Sequence, residues 1–227
     1  MIDERRYLLR LIRQGEHQQQ DFKYRVEDAR KLARSVSAFA NTDGGRLLIG
    51  VRDDGHLSGV RSDEEIYMMQ QAAMKYCRPA ASITFDTYHV AADINTAHPT
   101  TQRSKLRTIV VCTVPPSTRK PVFALDDDNR PRAYIRIADE NIVASPVHLA
   151  IWREEMSPRG QLITYSQDEQ KLMAVLERQP WQTLNQIVRR AALPRHRVVA
   201  MLAQFIRFGL AEWRADSHRF VFSVSPP

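Results

Sequence analysis

Apolar positions along the chain switch between helical and strand spacing, and each switch marks an element. Leu8, Leu11 and Ile12 share one face of a helix running from Asp3, an N-cap, to about Gln14, with Gly15 as its stop. The next segment, through Val26, is bounded like a strand. Leu32, Val36, Phe39 and Ala40 then restore helical spacing over residues 27–40. That helix ends on Asn41-Thr42-Asp43-Gly44-Gly45, residues that tolerate positive φ. Residues 46–51 are almost wholly apolar, which predicts a strand covered on both faces, and Asp53-Asp54-Gly55 predicts a hairpin turn into a return strand at 57–60. Ser62-Asp63-Glu64-Glu65 reads as a capping box for a helix through Ile66, Met69 and Ala73. Strands follow at 81–91, 106–114 and 132–137, separated by polar loops at 95–105 and 115–130. Ser145-Pro146 opens a helix over 147–155, with proline in the first turn.

The last segment has its own pattern. Residues 168–179 carry Leu172, Met173, Val175 and Leu176 at helical spacing. Thr183 caps a short helix with Leu184, Ile187 and Val188 inward, and Ala191-Ala192-Leu193 makes a tight turn. A third helix runs from Pro194 to Gly209. Residues 210–214 and 219–225 then alternate as a hairpin around the turn 215–218. The mixture predicts an α+β fold in two domains, residues 1–157 and 167–227, joined by a linker at 158–166, with Ser157-Pro158-Arg159-Gly160 marking the junction.

Composition narrows the function classes. With 43% hydrophobic and 26% charged residues, the chain is an ordinary globular sequence. It lacks the roughly 18-residue apolar run of a membrane span, and its N-terminus is charged and amphipathic, which predicts a cytoplasmic protein. Cys77 and Cys112 have no partner spacing for zinc and read as reduced core residues. The formal charge of +7 favours a polyanionic partner, and the last 63 residues hold four of those seven charges.

The C-terminal order resembles a winged helix-turn-helix domain. In that arrangement the second helix of the motif enters the major groove, and its first residues here are Arg195, His196 and Arg197. Arg189 and Arg190 lie one helix earlier, and Arg214 and Arg219 lie on the wing, so all seven are candidate nucleic-acid contacts. The alternatives are a protein-docking module or simply solvated arginines.

A second resemblance covers about residues 1–157. Glu16-x-x-x-x-Asp21-Phe22-Lys23, the run from Val36 to Gly45, Leu48-Ile49-Gly50-Val51-Arg52-Asp53, Arg119-Lys120-Pro121-Val122 and Tyr134-Ile135-Arg136 together resemble the Schlafen-type Alba-like domain of bacterial proteins and vertebrate Schlafens. The resemblance implies nucleic-acid binding, with Arg119, Lys120 and Arg136 as a basic surface. Vertebrate Schlafens carry two copies of this domain in one cleft. One copy here implies a homodimer.

Vertebrate Schlafens that cut tRNA and rRNA use three carboxylates, which fall here on Glu16, Asp21 and Asp53. Three converging carboxylates suit Mg²⁺ or Mn²⁺, and Lys23, two residues from Asp21 on a strand, would share its face and steady a phosphodiester transition state. Asp21 is one methylene shorter than the family's glutamate, and Arg52 replaces an acidic neighbour. Glu16, five residues from Asp21, reaches the same face only from outside the strand or across a bulge. Otherwise these residues are loop and turn punctuation. A G-x-x-x-x-G-K-[ST] motif is absent, which argues against ATP. The leading expectation is a bacterial DNA-binding transcriptional regulator acting as a homodimer. The alternatives are a Mg²⁺- or Mn²⁺-dependent ribonuclease and a protein-interaction adaptor.

Overall fold

The computed structural model describes residues 4–91, 106–156, 166–216 and 219–226. The expected loop at 95–105, almost all of the linker and the tip of the C-terminal hairpin lie outside the described residues. In chain order the first unit contains α1 (Glu4–Gln14), β1 (Gln20–Lys23), α2 (Ala29–Asn41), β2 (Gly45–Ile49) and α3 (Ser62–Met74). It continues with β3 (Cys77–Arg78), β4 (Thr84–Ala91), β5 (Leu106–Val114), β6 (Phe123–Leu125), β7 (Pro131–Ile137) and β8 (Glu140–Val143). The second unit holds α4 (Pro146–Glu155), α5 (Gln167–Arg178), β9 (Gln182–Thr183), α6 (Leu184–Ala191), α7 (Arg195–Arg207), β10 (Ala211–Asp216) and β11 (Arg219–Val224).

Among the described residues, two sheets build the first unit. One has the order β1-β2-β5-β4, with β1 parallel to β2 and the other pairs antiparallel; the second, β3-β6-β7-β8, is antiparallel throughout. The apolar run of β2 is buried on both faces, as its composition requires. Leu48 packs with Leu8, Leu11, Ile109 and Val111 under α1, while Leu47 and Ile49 pack with Val36, Phe39, Val110 and Cys112 under α2. Ala124 and Tyr134 of the second sheet join that α2 core, so α2 is covered on two sides. Both cysteines are buried and unpaired.

Four local features differ from the pattern-based reading. Asp28, at φ −143°, caps α2 by accepting from the Arg30 and Lys31 amides. No side chain caps α3, whose N-cap is Arg61, so the Ser62 capping box does not form. The loop expected at 115–130 contains β6, and the expected return strand at 57–60 is reduced to one bridge between Val51 and Leu57.

Compact packing divides the chain between Val143 and Ala144, so α4, grouped with the N-terminal domain in the sequence reading, belongs with the second unit. Its residues Val147 and Ile151 share a core with Leu172, Leu176, Ile187, Val198, Leu202 and Phe205. Ser145 and His148 form its capping box. Thr183 and Gln186 do the same for α6, and Ala192, in the left-handed region at φ 51°, turns the chain into α7. The hairpin β10-β11 pairs Trp213 opposite Phe222, and β9 joins β11 as a third strand.

Candidate nucleic-acid interface

Reciprocal backbone hydrogen bonds, each amide donating to the other's carbonyl, join His17 and Gln20 in a tight turn ahead of β1. The turn places Glu16 outside the strand and folds it back, so that its carboxylate accepts from the Phe22 amide at 2.8 Å. Burial raises the Glu16 pKa, the Phe22 amide opposes that, and the adjacent Asp21 raises it further. Asp21 itself is 4% exposed. Its carboxylate lies between two cations: Lys23 Nζ at 2.7 Å from Oδ2, as an ion pair rather than an aligned hydrogen bond, and Arg136 Nη2 at 3.4 Å from Oδ1.

Asp53 does not join this group. It is exposed in the turn closed by the Gly55 amide on Arg52 O, and among the described residues no three His, Cys, Asp or Glu side chains are placed to hold a metal ion. A Mg²⁺ or Mn²⁺ ion of the kind the nuclease reading needs does not fit these residues, because the most buried carboxylate is already matched by a lysine and an arginine. Arg136 also departs from expectation. It is 2% exposed and donates to Asp21, the Gln20 carbonyl and Asn141, so it is an interior strut and offers no surface to a phosphate. Arg119 is exposed, and Lys120 is half-buried with Nζ 3.5 Å from Thr42 O.

The Asn-Thr-Asp-Gly-Gly turn is structural. Asn41 is buried, donates to the Val122 and Tyr134 carbonyls at 2.9 Å each and accepts from the Val122 amide at 2.7 Å. Ser37, one turn earlier, donates to Val122 O and accepts from Tyr134 N. Gly44 adopts φ +72°, and a Cβ on Gly45 would lie 2.3 Å from the Phe39 ring.

In the second unit every basic residue singled out from the sequence is exposed. Arg195 donates to Asn185 at 2.6 Å, Arg190 donates to Gln182, and Arg197 pairs with Asp168 of α5. The Arg214 guanidinium lies 3.9 Å from the Trp181 ring centre, a contact that fixes the hairpin against the turn before β9.

The sequence reading missed a further cluster where β1 and β2 end. Tyr24, 42% exposed, has the Arg25 and Arg52 guanidinium carbons 4.8 Å and 5.0 Å from its ring centre. Its hydroxyl accepts from Arg25, which with Arg52 lowers its pKa. It borders a groove of about 730 Å³ whose walls include Arg61, Glu65 and Arg107. The available cue was the dipeptide Tyr24-Arg25 beside Lys23; the other walls come from distant segments.

The sequence profile described as Schlafen, AlbA_2 matches residues 16–145, which span both sheets of the first unit. No curated protein matches the chain. Among solved structures, the DIP2311 protein from Corynebacterium diphtheriae is similar at 17% identity with a TM-score of 0.45. The match covers 96% of this chain and 39% of that one, so this chain spans well under half of that protein's length. Among the described residues no helix is long and apolar enough to cross a membrane. With more than half of its 227 residues matched by one profile, the chain belongs to the Schlafen, AlbA_2 family.

Proposed function

We propose that the protein binds nucleic acid through a C-terminal winged helix-turn-helix module, docking duplex DNA with α7 in the major groove. Membership of the Schlafen, AlbA_2 family suggests the nucleic-acid role. The observation that carries the DNA reading is the exposure, in one small unit, of Arg195, His196 and Arg197 on the first turn of α7, Arg189 and Arg190 at the end of α6, and Arg214 and Arg219 on the hairpin. Cations there neutralise phosphates, and the start of α7 offers arginine forks to base edges. The biological role that fits is a transcriptional regulator working as a homodimer, whose two recognition helices would meet a palindromic operator.

Fluorescence anisotropy with labelled duplex DNA over a salt series tests the reading. Binding should weaken with salt, and Arg189→Ala with Arg195→Ala should cost about tenfold in affinity and lower the salt slope by roughly two. Affinity unchanged in that double variant sinks the DNA reading, and a monomer on DNA by light scattering sinks the dimer.

A further inference from the structure

We propose that the groove between the segment after β1, residues 58–61, the start of α3 and the start of β5 holds a nucleotide of an unpaired nucleic-acid strand, with Arg25 and Arg107 toward phosphate and Tyr24 toward the base. The inference rests on the reading of the chain as a nucleic-acid binder and adds a second, chemically different contact.

The groove opens beyond the carboxyl end of β1, at Tyr24-Arg25-Val26-Glu27, with Leu106, Arg107 and Thr108 at the start of β5 among its other walls. Here the chains part after Lys23 and Ile49 into Tyr24-Arg25 and Gly50-Val51-Arg52, and Gly50 takes φ +96°. Ser58 and Gly59 close back on Gly50 O, and the Val60 amide on Thr108 O fixes the opposite wall. Gly59 takes φ +72°, a conformation that favours glycine, and a Cβ there would also crowd the Arg107 side chain at 3.1 Å.

The chemistry of the walls selects the guest. Arg107 Nε is buried without a hydrogen-bond partner, and the amides that open α3 have no side-chain cap. The buried Nε calls for an acceptor that the protein does not supply, and the uncapped α3 amides are open to one. The exposed Arg25 and Arg52 guanidinium groups lie over the Tyr24 ring, and the outer faces of these planar cations, backed by Tyr24, are where a base can stack. The carboxylates Glu64, paired with Arg61 at 3.0 Å, and Glu65, accepting from the Val26 amide at 2.7 Å, disfavour a purely anionic ligand. They suit one that also presents amine or imide hydrogens, as a base edge does. A duplex hides the faces of its bases and cannot place one on Tyr24; an unpaired strand can.

The test uses the full chain and fluorescence anisotropy with labelled single-stranded oligonucleotides, with duplex DNA alongside. Tyr24→Ala and Arg107→Met should each weaken single-strand binding about tenfold or more while leaving duplex binding unchanged. Arg25→Ala alters an exposed side chain and keeps the test decisive if circular dichroism shows that either other variant unfolds. Wild-type affinity for single strands in Arg25→Ala together with a folded groove variant overturns the proposal, as does the absence of single-strand binding by the wild-type protein. Displacement of the oligonucleotide by micromolar adenosine monophosphate overturns the strand in favour of a free nucleotide. Loss of duplex binding alone, with single-strand binding intact, would count against the C-terminal module and leave the groove standing.

Discussion

Arg136 Nη2 lies 3.2 Å from the Gln20 carbonyl and 3.4 Å from Asp21 Oδ1, joining the second sheet to the edge of the first in the interior of one unit. The same guanidinium donates to Asn141 at 3.1 Å, and its carbon sits 5.2 Å from the centre of the Phe39 ring. Two residues that sequence motifs assign to separate jobs, a metal-binding carboxylate and a phosphate-binding arginine, are in the fold partners to each other. Their first consequence is for stability.

Removing Arg136 leaves Asp21 with Lys23 as its remaining cation, takes the donor from Asn141 and empties the volume of a buried side chain. Arg136→Ala should therefore cost about 2–4 kcal/mol, whereas Arg119→Ala, at an exposed site, should stay within about 0.5 kcal/mol. Urea denaturation of the two variants checks the contrast. Equal, small losses would show that the Asp21–Arg136 contact contributes nothing.

Asn41 carries a comparable role by hydrogen bonds alone. Asn41→Ala would leave the Val122 amide without its partner and take one donor each from the Tyr134 and Val122 carbonyls, of which Val122 O keeps Ser37. With an orphaned buried group costing about 1–3 kcal/mol, a loss of roughly 2 kcal/mol is expected in the same denaturation assay. Gly45→Ala should also destabilise, because the Phe39 ring it would strike is fully buried.

The separation of Asp53 from Glu16 and Asp21 predicts the response to metal. A divalent ion bound only by the folded chain would add about 2.7 kcal/mol at ~100-fold its Kd. Millimolar Mg²⁺ or Mn²⁺ should leave the thermal midpoint unchanged. Asp53→Asn should alter stability by no more than about 0.5 kcal/mol. A metal-dependent rise in Tm that Asp21→Asn removes would restore the carboxylate site.

What the sequence disclosed and what it hid follow from physics that acts over different ranges. β2 was legible because a run such as Leu47-Leu48-Ile49 admits only burial on both faces, and α7 because its apolar positions repeat at helical spacing between Pro194 and Gly209. β6 was hidden, since three residues inside a polar loop carry no period. Arg136 was misread because β7 buries Ala133, Tyr134, Ile135 and Arg136 in succession, so alternation gave no warning of an interior guanidinium. The groove was hidden for a third reason: Tyr24, Arg61 and Arg107 come from segments far apart in the chain, and only the sheet register brings them together. Asp53 lay in a turn whose local signals were read correctly, while the role lent to it needed a long-range contact that the fold does not make.

The pH dependence of the second unit should trace to His148. The ring is 4% exposed, with the centres of Trp213 and Phe220 each 4.4 Å away. Nδ1 accepts from the Ser145 amide at 3.3 Å, which assigns the ring proton to Nε2, an atom buried among those rings without a partner. Burial pushes the pKa down from 6.5 to about 4. Because the folded-state value is the lower one, the unfolded chain binds the proton first as pH falls. The neutral ring's contribution is complete above about pH 6.5 and drains away as pH falls toward 4. Linkage puts the loss at about 2 kcal/mol by about pH 5 relative to neutrality. Glu16 and Glu65, whose pKa values are raised, act with the opposite sign, so the comparison needs a variant that changes His148 alone. His148→Gln keeps an acceptor for the cap and removes the titration. Denaturation near neutral pH and at about pH 5 should show wild type losing about 2 kcal/mol more than His148→Gln across that interval; equal losses in both would mean that His148 is already protonated in the folded protein, or that its site opens to water.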